Sequence, residues 1–350
     1  VGITRDLWYL SFIQHSKQAA EGNVHHIWAT NEKTAMESAI GMSYAGKRAL
    51  VCMKHVGLNV AADPFMNSAI TGANGGLVVL VADDPSMHSS QDEQDSRFYA
   101  KFAMIPCFEP SNQQEAYDMT YDAFDFSEKY KIPVMLRVTT RLAHSRAGVE
   151  RKTIRPQNEI RLHPNPKQFI LLPGNARVYY KELLDKQTHF VAESETSTYN
   201  KLIDGPNKSL GIIASGIGYN YVKENFIGTP CPYPILKITQ YPLPTEKIAQ
   251  LLDECDAVLV AEEGYPIIEE QLRGLLNRNG NIKGRMDGTL PRTGELNPNH
   301  LAKALGIKEV HGPAIPEIVV GRPPALCFAC PHIDSYNALN EAMAPYGKGK

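Results

Sequence analysis

A chain of 350 residues, 43% hydrophobic and 21% charged, is long enough for two ordinary domains with their own cores and too apolar to stay disordered. Its 36 basic and 38 acidic residues leave a formal net charge of -2, so no basic field exists to hold nucleic acid or an anionic lipid surface. No uninterrupted apolar segment approaches the ~20 residues that span a bilayer, and the N-terminus lacks the order of a secretory signal, so a cytoplasmic protein is expected.

Residues 1–22 read as a polar-faced helix stopped by Gly22-Asn23, and 24–29 as a short strand. Asn31 is placed to cap a helix from 32 to about 45, whose Ala35, Met36, Ala39, Ile40 and Ser43 share one face, with Gly46 as its stop. A strand over 49–53, a helix over 59–71, a Gly-rich turn at 72–76 and a strand over 77–81 follow. Both apolar runs stop abruptly in polar, Gly-bearing sequence, which is how a buried parallel strand ends in a loop that can hold a ligand. Asn112 and Glu115 have capping-box spacing for a helix to about 130, and 132–138 is the next strand. Strands alternating with helices imply parallel pairing through right-handed crossovers, so 1–147 is expected to be a doubly wound, mainly parallel α/β domain.

Pro156, Pro164, Pro166 and Pro173 interrupt regular structure and place a linker at 148–207, with a helical connector over 176–196. Alternation resumes in 208–285: strands over 209–214, 234–238 and 257–261, and helices after Gly216-Ile217-Gly218, over 245–253 and over 267–277. This is a second, smaller α/β domain. Residues 286–350 read as a Pro-bearing crossing segment, with a short helix near 299–304, and then the start of a third domain.

Read alone, the candidate sites each keep a plain alternative. Glu32 is an acid in the first turn of a helix, a favourable place for any carboxylate. The segment Lys54-His55-Val56-Gly57-Leu58-Asn59 is a strand-to-helix turn in which Gly57 allows close approach of a ligand. The loop bearing His88, Ser89, Ser90, Gln91, Gln94 and Arg97 is either solvated or suited to a 2-oxoacid, with Arg97 gripping the carboxylate in two places. Gly216-Ile217-Gly218 lacks the third glycine of a dinucleotide fingerprint, Tyr221 standing there, and Glu262-Glu263, at a strand end, is either a functional or, more commonly, a solvated pair. Cys52, Cys107, Cys231 and Cys255 are scattered, as reduced core cysteines are; Cys327 and Cys330 form a Cys-x-x-Cys that is half a metal site, a redox pair or incidental.

Several blocks in fixed order carry a resemblance: Asn31-Glu32-Lys33, Ser43-Tyr44-Ala45-Gly46, Lys54 through Asn59, Ala82-Asp83-Asp84-Pro85-Ser86-Met87-His88-Ser89-Ser90-Gln91, Glu93-Gln94-Asp95 and, more weakly, Cys330-Pro331-His332. Together they resemble the large (alpha) subunit of indolepyruvate ferredoxin oxidoreductase, a thiamine diphosphate-dependent 2-oxoacid oxidoreductase. The resemblance implies a pyrimidine-binding domain over 1–147, a transketolase C-terminal-like domain over 208–285 and the beginning of a diphosphate-binding domain after 286. It implies that Glu32 activates thiamine diphosphate by hydrogen-bonding N1' of its pyrimidine, that Lys54, His55, Gly57, Leu58 and Asn59 lie against the cofactor, and that the loop from His88 to Arg97 positions substrate.

It further implies Mg2+ and 4Fe-4S clusters, for which Cys327 and Cys330 are candidate ligands although Ala329 and Ile333 depart from the family's usual Gly and Arg. The implied partners are a beta subunit, ferredoxin, a 2-oxoacid and coenzyme A, in a dimer of heterodimers. The family's Tyr-Pro-Gly-Thr-Pro loop, which touches substrate, is either missing from these residues or truly lost; its Gly-Asp-Gly…Asn segment and ferredoxin-like cysteine run are also absent, so the diphosphate domain and clusters are expected from a longer chain or a partner. Alternatives are a thiamine-dependent non-oxidative decarboxylase or carboligase, and a non-catalytic scaffold subunit.

Overall fold

Asn31 starts the first described helix: its side-chain oxygen accepts the Thr34 N–H at 2.9 Å, and α1 (Glu32–Tyr44) follows, burying the expected face of Ala35, Met36, Ala39, Ile40 and Ser43. The computed structural model describes residues 25–165, 167–275, 281–285, 287–291, 294–319, 330 and 332–346. The expected helix over 1–22 lies outside these residues. Residues 25–29, expected as strand, have no regular structure.

The first sheet contains β1 (Ala49–Lys54), β2 (Leu77–Asp83), β3 (Cys107–Phe108), β4 (Val134–Thr139) and, from much later in the chain, β8 (Gln240–Tyr241). Its order is β1-β2-β4-β3-β8; the first four strands are parallel, while β8 runs antiparallel on β3. In register, Lys54 stands beside Ala82 and Asp83 beside Thr139, so polar residues collect at one edge, where β1, β2 and β4 end. The helix expected over 59–71 is divided into α2 (His55–Val60) and α3 (Ala62–Thr71). Pro64 explains the break: it has no N–H to continue a single helix but is tolerated within the first turn of a new one. The polar loop after β2 ends in α4 (Arg97–Ala103), and α5 (Gln113–Tyr130) and α6 (Thr140–His144) flank β4.

α7 (Pro173–Thr196), 24 residues long, leads toward the second sheet. That sheet has β5 (Lys201–Ile203), β6 (Gly211–Ser215), β7 (Ile235–Ile238), β9 (Ala257–Ala261) and β10 (Asn281–Lys283) in the order β10-β9-β6-β7-β5, parallel except for β5. α8 (Ile217–Glu224), α9 (Thr245–Glu254), α10 (Ile267–Leu275) and α11 (Pro298–Leu305) cover it. One hydrophobic core joins the sheets: Val51, Val79, Phe108 and Met135 of the first belong to the same cluster as Ile213, Leu236 and Val260 of the second. Residues up to 309 thus form one unit; residues 310–350 form another, which contains α12 (His332–Met343).

Candidate active site at the strand ends

Glu32 is the first residue of α1, and Gly57 lies within α2, just after β1. A Cβ at position 57 would sit 2.5 Å from Glu32 Cγ and 2.8 Å from Oε1, so only glycine lets the acid lie against this turn. The Glu32 side chain is half-buried, and among the described residues its carboxylate has no hydrogen-bond or ion-pair partner. The carboxylate therefore lies against the turn, partly open to solvent and not claimed by another described side chain.

Lys54 and His55 come together with the loop beyond β2. Both are buried. Lys54 Nζ donates to Ser89 O at 3.0 Å and lies 3.2 Å from Ser89 Oγ, while the two His55 ring nitrogens lie 3.4 Å from Ala82 O and 3.1 Å from Asp92 O. The end of β1 therefore fastens the loop from two points. Leu58 is core, and the exposed Asn59 accepts from the Tyr99 hydroxyl at 2.7 Å.

Asp84, which the sequence offered only as part of a block, organises that loop. Its carboxylate accepts from His88 N at 3.2 Å, Ser89 N at 2.9 Å, Ser90 Oγ at 2.6 Å and Thr140 Oγ1 at 2.8 Å. Burial alone would raise its pKa, but the bonds from Ser90, Ser89 and Thr140 and the nearby Lys54 charge hold it below the ordinary carboxylate value. His88 Nε2 lies 3.1 Å from Glu295 Oε1, whose other oxygen accepts from Arg141 at 3.0 Å. Gln91 is exposed, and Gln94 Nε2 donates to Asp92 Oδ2 at 2.6 Å. His88, Ser89, Ser90, Gln91 and Gln94 thus share one loop whose backbone is held from Lys54, His55 and Asp84.

Arg97 is a correction. Expected as the substrate carboxylate contact, it is 2% exposed, and its donors are taken inside the protein. It donates to Asp95 Oδ1 at 2.9 Å through Nε, to Tyr241 OH at 3.2 Å and to Tyr265 O at 2.8 Å, and lies 3.0 Å from Glu262 Oε2. Arg137 continues the network, donating to Asp83 Oδ2 at 2.6 Å, to Glu263 O at 2.9 Å and to Glu109. The network gathers the ends of β2, β4 and β9, so its role is to bind the two sheets together.

Glu262 and Glu263 are likewise not a solvated pair: they are 1% and 0% exposed, and burial pushes each up to about 7. Gly216, at φ 47°, and Gly218 serve this junction. A Cβ on the first would meet Glu109 Oε1 at 2.6 Å, and one on the second Ala261 O at 2.5 Å. Close packing, not phosphate binding, accounts for both.

Cys327 lies outside the described residues. Cys330, in the 310–350 unit, is half-buried with its Sγ 3.2 Å from His332 Nδ1. Among the described residues, no group of three or more His, Cys, Asp or Glu side chains could hold a metal ion, and no helix is long and apolar enough to cross a membrane.

Residues 11–197, just over half the chain, match the family described as pyruvate flavodoxin/ferredoxin oxidoreductase, thiamine diphosphate-binding. The chain belongs to that family. It is 40% identical over 352 residues to the indolepyruvate oxidoreductase subunit IorA of Methanothermobacter marburgensis, covering 95% of this chain and 55% of that protein. To the subunit of the same name from Pyrococcus abyssi it is 40% identical, with 93% and 54% covered. The chain thus spans about half the length of the curated relatives it matches. Its fold is that of a 2-oxoglutarate:ferredoxin oxidoreductase from Magnetococcus marinus, with a TM-score of 0.67 at 14% identity over 87% of this chain and 61% of that one. A split-gene transketolase is also similar, with a TM-score of 0.54 at 15% identity over 87% of this chain and 90% of that one.

Proposed function

We propose that this chain is the thiamine-activating part of an indolepyruvate-type 2-oxoacid:ferredoxin oxidoreductase, which converts an aryl 2-oxoacid and coenzyme A to an acyl-CoA and carbon dioxide and passes two electrons to ferredoxin. The observation that carries it is the half-buried Glu32 carboxylate, packed on Gly57 and without a partner among the described residues, in a chain of a thiamine diphosphate-binding family.

Thiamine diphosphate, when bound, supplies a nucleophilic carbon that attacks the 2-oxo group. Glu32 would hold N1' of its pyrimidine and share a proton there, and Gly57 keeps that carboxylate in place. Leu58 and Asn59 belong to the same turn. Lys54 and His55 act mainly as positioning residues: their bonds to Ser89 and Asp92 fix the loop whose His88, Ser90, Gln91 and Gln94 would meet the substrate's polar groups.

The same reading takes 1–147 as the pyrimidine-binding domain, 208–285 as a transketolase C-terminal-like domain and 286–350 as the start of a diphosphate-binding region. Mg2+ and the 4Fe-4S clusters would be held mainly outside this stretch, with Cys327 and Cys330 as candidate cluster ligands. A beta subunit would complete a cytoplasmic dimer of heterodimers. The test is to isolate the native assembly, quantify thiamine diphosphate and iron, and assay 2-oxoacid-dependent ferredoxin reduction with and without Glu32→Gln. Both cofactors present and reduction lost in the variant are expected; an assembly without thiamine diphosphate, or a fully active Glu32→Gln enzyme, overturns the reading.

A further inference from the structure

The first sheet has a second feature at its opposite edge, where β2 and β4 begin. A cavity of about 370 Å3 opens there between the turn after α3, the turn after α5 and one face of α7. That is the size of a small-molecule pocket. Ile70, Tyr130 and Leu183 give it apolar wall, and its charged lining is Lys129, Lys131 and Lys186 with one acid, Glu182.

Two of those lysines are engaged within the protein. Lys129 Nζ lies 2.5 Å from Glu193 Oε1, and Lys131 Nζ donates to Asn74 O at 2.9 Å. The turn backbones are closed as well: Ala73 N donates to Lys131 O at 3.2 Å, and Gln168 Nε2 to Thr71 O at 3.0 Å. Lys186 remains. It is half-buried on α7 and has no partner among the described residues. Burial holds its amine below the ordinary lysine value, although Glu182, one turn earlier, pulls the other way. A half-buried cation that makes no contact ion pair, with its nearest acid Glu182 a turn away on the same wall, leaves room beside the apolar lining for a ligand anion.

We propose that this cavity is a second binding site, distinct from the strand-end site, for a small carboxylate with an apolar body whose anion pairs with Lys186. The carboxylate would make the contact ion pair that Lys186 does not make with Glu182, and the apolar body would cover Ile70 and Leu183. This holds whether or not Glu32 activates thiamine.

Phenylacetate is a suitable probe, titrated calorimetrically into the full-length protein in its native assembly, with neutral phenylacetamide as the control. Phenylacetate should bind with a Kd below about 1 mM and phenylacetamide about tenfold more weakly. Lys186→Gln should weaken phenylacetate about tenfold, and Glu182→Gln, which removes a like charge, should tighten it a few-fold. Glu182 is exposed and Lys186 only half-buried, so the variants should fold. No phenylacetate binding, equal binding of the amide, or an affinity indifferent to both substitutions, as binding at the strand-end site would give, overturns the proposal.

Discussion

Gly57→Ala separates stability from chemistry. A Cβ there would stand 2.5 Å from Glu32 Cγ, 2.8 Å from Oε1 and 2.9 Å from Cδ. Carbon atoms rest roughly 3.5–4 Å apart, so the Glu32 side chain must move by about 1 Å. The obstructing atoms are the end of a flexible side chain, so the move itself is cheap, and alanine inside a helix is favoured over glycine by roughly 0.5–1 kcal/mol. The net change in folding stability should stay within about 1 kcal/mol. Activation of thiamine diphosphate should suffer far more, since a misplacement of about 1 Å can cost 100-fold in rate. The assay pairs thermal unfolding with quenched-flow measurement of deuterium exchange at the cofactor's reactive carbon, with Glu32→Gln as reference. Wild-type exchange in a folded Gly57→Ala protein would show that the contact between positions 32 and 57 does not position the acid; a loss of several kcal/mol would show that the turn cannot yield.

Asp84→Ala removes the acceptor shared by His88 N, Ser89 N, Ser90 Oγ and Thr140 Oγ1, and should cost about 1–3 kcal/mol locally. Hydrogen exchange at residues 86–92 should accelerate while α1 and β1 stay protected, and unchanged exchange would refute its organising role. Arg97→Met leaves Asp95 and Glu262 without their shared cation and should destabilise by roughly 3–5 kcal/mol. A variant that keeps its stability but loses affinity for the 2-oxoacid would restore Arg97 as a substrate contact. Glu262 and Glu263 give a pH signature. Burial lifts each from 4.5 to about 7, so between these values the folded chain holds protons that the unfolded chain has released, and stability falls as pH rises through that window. A rise of this size corresponds to about 3 kcal/mol per group at pH 8. Glu263→Gln should flatten part of the slope in denaturant titrations, and a slope as steep as wild type would refute its share.

Much of the fold was legible because its signals are local. The face of α1, the Asn31 and Asn112 caps, and the apolar runs that became β1, β2 and β9 depend on residues within a turn or two of one another. β8 was not legible: two residues that pair with β3 across more than 130 positions carry no periodicity of their own. The same holds for the break at Ala61, where only the missing N–H of Pro64 tells two helices from one.

The candidate site divides along the same line. Its backbone placement follows from where β1 and β2 stop, but a side chain's role depends on which distant groups reach it. Asp83 and Asp84 are neighbours at the end of β2, yet one carboxylate pairs with Arg137 inside the sheet junction and the other caps the loop. Arg97 shows how this misleads. An arginine in a polar loop after a buried strand is a sound expectation for gripping a substrate carboxylate, provided that no protein carboxylate claims it first. Asp95 is two residues away and Glu262 arrives from the second sheet, and both are buried. A guanidinium already held by two enclosed acids has little left to offer a substrate, because drawing it away would strand both charges in the interior. The polar groups that the loop presents outward depend on Arg97 only through the packing of the sheets beneath them.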